Sequence, residues 1–141
     1  MSTLGGVVLL AGRILFPALF AFAARGHIRN HTRYVTGSGR KLPLPILAGW
    51  PAGAWLLVAD VSVLVGIWPD VGALMIALFL LPAGVVFHPF WTYSDPAARR
   101  THESSFYRDV SLLGGALALF VLFAMAGHVP FALTGSAISL R

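Results

Sequence analysis

Cysteine is absent from the 141 residues. That excludes disulfides, thiolate-held metals, iron–sulfur clusters and persulfide intermediates carried by this chain. Charge is scarce as well. Asp, Glu, Lys and Arg together make up 11% of the chain, against roughly 25% in an ordinary soluble domain. Acids are the scarcest, five against ten Lys and Arg. No Walker loop, G-x-G-x-x-G, H-E-x-x-H or nucleophile elbow occurs, which argues against a self-contained hydrolase or nucleotide enzyme.

Apolar residues fill the space that charge leaves. They make up 57% of the chain, with a mean hydropathy of +0.81, which marks an integral membrane protein built as one compact unit over residues 1–141. In that setting the net charge of +5 reads as membrane sidedness and contact with anionic headgroups, not as nucleic-acid binding.

Four apolar runs stand out, at residues 4–24, 46–68, 71–87 and 110–127. Each is read as a span across a hydrocarbon core of about 30 Å. The first has no basic residues before it and no convincing cleavage site after it, so it reads as a retained helix. The tight connection at Pro69-Asp70 makes helices two and three antiparallel neighbours, and the expected architecture is an all-α, up-down four-helix membrane bundle. A polar segment at 97–108 reads as a short interfacial helix before helix four, with direct continuation into that helix as the alternative. Gly49 and Gly53 would let another helix approach helix two, and Gly114, Gly115, Ala116 and Ala118 give helix four a narrow packing face.

Four spans put both termini on one side. Five of the ten basic residues fall in the connection 25–45 and three, Arg99, Arg100 and Arg108, in 89–109. The positive-inside rule then places both connections in the cytoplasm and both termini outside.

Arg13 and Asp60 are charges inside spans, both about 12–14 Å from the outer end at 1.5 Å per residue. A lone charge at that depth costs several kcal/mol, so a mutual ion pair is expected. The functional alternative has Arg13, Asp60 and His88 lining a cavity for a quinone headgroup or an ion. His27, His31, His88 and His102 gather at the cytoplasmic end. No acidic cluster accompanies them, and no metal is expected. Trp50, Trp91 and Trp68 fit an interfacial aromatic belt. Asp95-Pro96 reads as the cap and first residue of a helix. Arg99 and Arg100 follow in the first turns, where positive charge opposes the helix dipole. They, with His27, His31, Trp91, Asp95 and Arg108, are candidate contacts for lipid phosphate or a partner protein. No residue is assigned a catalytic role.

Several stretches in order carry a family resemblance: GRILFPALF and GHIRN around helix one, Asp60 within LLVADVSVLVGIW, HPFWTYSDP after helix three, and FYRDVSLLGGALAL at the start of helix four. Together they resemble the DoxX family of small bacterial membrane proteins, from Leu10 to about Phe123. The sequence departs from it at Tyr107-Arg108-Asp109, where relatives often show Lys-Asn. The resemblance implies a four-helix bundle in the bacterial cytoplasmic membrane, associated with redox systems of the thiosulfate:quinone oxidoreductase kind. Two expectations follow: an accessory subunit of a respiratory or quinone-associated complex with no covalent cofactor, or a quinone-reactive subunit. A small dimeric transporter ranks third, since helix one carries Arg13 where such exporters need an acid.

Overall fold

The structure is a computed structural model that describes residues 2–39 and 41–140, and all its regular structure is helical. Arg40 and Arg141, which contribute to the charge asymmetry, lie outside the described residues. The helices are α1 (Thr3–Arg29), α2 (His31–Ser38), α3 (Trp50–Val65), α4 (Pro69–Phe87) and α5 (Pro96–Ala126). Short 3-10 turns lie at Pro45–Ala48 and Phe90–Thr92. Three stretches are long and apolar enough to cross a membrane: Thr3–Arg29, Pro69–Thr92 and Pro96–Ala126. Large apolar side chains point outward from α1, Leu15 at 74% exposure and Phe22 at 72%, as contact with lipid requires.

Boundaries differ from the apolar runs in physically interpretable ways. α1 extends past residue 24 to Arg29, because no proline lies between Ala24 and Asn30 and the single Gly26 is tolerated within a helix. The expected loop 25–45 therefore contains the last turn of α1 and all of α2. α3 is only 16 residues long, about 24 Å at the helical rise; Pro45 and Gly49 divert the preceding residues into a 3-10 turn. The separate interfacial helix before helix four is corrected: residues 97–108 belong to α5, a single helix of 31 residues. No Gly or Pro lies between Pro96 and Gly114 to interrupt it, and Asp95 caps its start, accepting from the Ala98 N–H at 2.8 Å.

α3 packs between α1 and α4, and α4 between α3 and α5. One apolar core draws on all four, with Phe20 and Ala24 from α1, Leu56, Ala59 and Val63 from α3, Ile76 and Leu80 from α4, and Ala116 and Phe123 from α5. Glycine sets two of the crossings. A Cβ on Gly53 would stand 2.8 Å from the Ala24 carbonyl oxygen, and one on Gly72 the same distance from that of Ala59. Gly49 serves differently, leaving room for the His31 ring. On α5 the expected narrow face divides: Gly115 receives Phe16 and Ala116 is buried, whereas Gly114 faces open space and Ala118 is exposed.

The two ends of the molecule are built differently. At one, the start of α1 meets the segment after α5, with Gly6 against Pro130. That segment, residues 128–140, is tied down by Asp70, which accepts from the Ala137 and Ile138 N–H groups at 3.0 and 2.7 Å. The other end gathers α2, both 3-10 turns and most of the basic residues, and is called the basic end below.

Candidate functional site

A half-open cavity of about 290 Å³ lies at the basic end between α1, α2, α4 and α5. Its floor is apolar, with Phe79, Leu80, Ala83 and Phe87 from α4, and its polar groups are His27, Tyr34, His88, Arg108 and Asp109. Asn30 ends α1 and lets α2 fold back, so that Tyr34 stacks on His27 with ring centroids 3.9 Å apart and planes at 26°. Phe87 meets both rings edge-on. His27 is buried, and its Nδ1 lies 2.6 Å from the Ala48 carbonyl oxygen. A carbonyl only accepts, so Nδ1 carries the hydrogen and Nε2 keeps the lone pair.

His88 sits at the C-cap of α4, where Pro89 prevents another helical turn. Gly84, one turn earlier, admits Phe106 and Asp109 of α5 against α4. The His88 Nε2 lies 3.8 Å from the Asp109 Oδ2, and the Asp109 Oδ1 lies 3.5 Å from the Arg108 Nη2. On its other side the His88 Nδ1 is 3.3 Å from the Nδ1 of His102, whose ring stacks on Tyr93 at 4.3 Å and 12°. A carboxylate, a guanidinium and imidazoles over an aromatic wall suit a flat ring with hydrogen-bonding oxygens, and they can exchange protons with it.

No protein-family model, curated protein or solved structure matches this chain. The site is defined by its own geometry.

Among the sequence candidates, the structure brings His27, His88 and Arg108 to one cavity. His31 stands apart; its Nδ1 accepts from the Trp50 N–H at 3.0 Å and so caps the start of α3. Trp91 joins an edge-on aromatic cluster with Phe90 and Phe106. Asp95 is the α5 cap, and Arg99 and Arg100 are exposed. Trp55 donates its Nε1–H to the Met75 carbonyl oxygen at 2.8 Å and ties α3 to α4.

The expected Arg13–Asp60 ion pair is not formed, and neither residue lines the cavity with His88. Arg13 is fully buried and donates to three carbonyl oxygens: Val63 and Leu64, each at 2.9 Å, and Pro130 at 3.2 Å. Two of these belong to the last turn of α3, whose carbonyls lack helical partners and carry the negative end of the dipole. Arg13 thus caps a helix. Asp60, one turn earlier, is 5% exposed, and neither carboxyl oxygen has a hydrogen-bond partner among the described residues.

Two polar members of the cavity lining were not singled out as ligand-binding candidates in the sequence, Tyr34 and Asp109. Each stands seven residues from another member of the cluster, Tyr34 from His27 and Asp109 from His102. Two helical turns is the spacing that returns a side chain to the same face, and it is the signal that could have found Asp109 on the continuous α5. For Tyr34 the chain turns at Asn30 in between, so spacing alone carries no such message.

Proposed function

We propose that this chain is a DoxX-like integral membrane protein, a four-helix bundle in the bacterial cytoplasmic membrane. In this reading it is an accessory subunit of a redox-linked membrane complex, and its basic-end cavity receives a quinone headgroup. The observation that carries the reading is the cavity itself. His27 and His88 offer imidazoles to ring oxygens, Asp109 supplies a carboxylate, and Phe79 and Phe87 supply an apolar wall. In this reading the electrons come from another subunit, and this chain binds the ring, orients it and exchanges protons with it.

α3 is the fourth span; its 16 residues are supplemented by the 3-10 turn before it. The basic end faces the cytoplasm, and the end that joins α1 to residues 128–140 faces outward. The charges of Arg25, Arg29, Arg99 and Arg100, all exposed at the basic end, favour that side and contact anionic lipid headgroups there.

Purification from native membranes in mild detergent tests the proposal. Co-purifying redox subunits and stoichiometric extractable quinone are expected, with the quinone reduced at least tenfold in a His27→Phe variant. Recovery of the chain free of both would overturn it.

A further inference from the structure

We infer that Asp109, His88 and His102 form a proton relay between the basic-end cavity and the aqueous surface beside Tyr93. An imidazole passes a proton onward only when its two nitrogens face different partners. His88 meets that condition, with Nε2 toward the Asp109 Oδ2 at 3.8 Å and Nδ1 toward the His102 Nδ1 at 3.3 Å. Asp109 and His88 line the cavity and His102 does not, so the row of three leads out of it. Shielding follows the same order at the cavity end, the Asp109 side chain being 12% exposed and that of His88 23%. The 3.8 Å gap is wider than a hydrogen bond, as proton-transfer contacts often are before a ligand closes the site.

An Nδ1–Nδ1 contact needs one N–H and one lone pair, so the two rings hold complementary tautomers. A proton taken from water at the His102 Nε2 releases the His102 Nδ1–H to the His88 Nδ1. The His88 Nε2–H then passes to Asp109, whose carboxyl donates to an oxyanion in the cavity. Each hop breaks one N–H or O–H bond and makes another; no electron moves, and the net result is one proton carried inward. The charged and titratable groups facing the row are Arg108 against Asp109, and His27 and Tyr34 across the cavity. Tyr93, stacked on His102, holds the outer ring in plane. The identity of the final acceptor rests on the quinone reading; the relay itself rests on the three side chains.

The test uses the full chain in nanodiscs with 15N-labelled histidine, measuring magnetisation transfer from water to the His88 ring N–H. In His102→Phe, which keeps the ring stacked on Tyr93 but removes its nitrogens, the exchange slows at least tenfold, and added imidazole restores it. His102→Gln, able to hydrogen-bond but not to pass a proton on, slows it equally and serves if the first variant fails to fold. If His102 merely covered His88, both changes would leave exchange unaltered or faster, and that result overturns the relay. Menadione binding is measured in parallel and stays within twofold of wild type in both variants. Wild-type protein that binds no menadione removes the quinone reading, while the exchange result still decides the relay.

Discussion

Arg13 and Asp60 illustrate how one buried charge is satisfied and another is not. In a low-dielectric interior an arginine need not find a carboxylate if it finds enough oriented carbonyl oxygens, and the last turn of α3 presents two that no helical N–H can reach. Arg13→Met leaves those carbonyls bare and is expected to cost about 3–5 kcal/mol, read as a lowered midpoint in thermal unfolding in detergent. Asp60 makes no hydrogen bond among the described residues, so Asp60→Asn should change stability by less than about 1 kcal/mol. A true ion pair would instead lose about 3–5 kcal/mol when one partner is neutralised. In a double-mutant cycle the two sites should couple by no more than about 0.5 kcal/mol. A larger coupling would mean that the two charges do pair. The sequence shows both charges and their matched depth, but depth along two helices says nothing of rotation about them.

Among the helices, close approach depends on which glycine faces a neighbour. Gly53 and Gly72 stand where a methyl group would press on a carbonyl oxygen of the adjacent helix, whereas a methyl group on Gly114 would meet no described residue of a neighbouring helix within 4 Å. Gly53→Ala and Gly72→Ala should each destabilise by about 1–3 kcal/mol through forced separation of the helices. Gly114→Ala should be neutral or favourable, given alanine's advantage of about 1 kcal/mol in a helix. Thermal unfolding of the three variants side by side checks the ordering, and equal losses would contradict these helix crossings. A clamp at the other end of α4 makes a separate expectation. Asp70→Ala removes the acceptor for two backbone N–H groups, and hydrogen exchange at residues 128–140 should accelerate while α1 and α3 keep their protection. The small-residue pattern in the sequence pointed correctly to Gly53 as a crossing. It could not separate Gly114 from Gly115, because adjacent positions on a helix differ by about 100° and only the neighbour's placement selects one.

At the scale of the whole molecule, the alternation of helix direction places Ser2 and Ser139 at one end and Thr36 and Thr101 at the other. Because the chain has no native cysteine, a single engineered cysteine reports its own side of the membrane without background. In oriented vesicles, Ser2→Cys and Ser139→Cys should react with a membrane-impermeant maleimide from outside. Thr36→Cys and Thr101→Cys should react only after permeabilisation. Labelling of all four from one side would refute both the spans and the sidedness.

Composition and hydropathy by themselves determined that the chain is helical and that its surface is apolar. A long run of side chains with no charge has few ways to satisfy its backbone away from water, and the helix is the local one. They also marked where polar residues collect, around residues 25–45 and 88–109, and that Asp95 begins a helix. Only the tertiary structure decided which polar groups meet. Tyr34 reaches His27 because α2 folds back. Asp109 reaches His88 because α5 runs unbroken beside α4, and Arg13 reaches carbonyl oxygens of α3 instead of Asp60. Those outcomes depend on the rotation and stagger of packed helices, which are set by contacts between residues far apart in the chain.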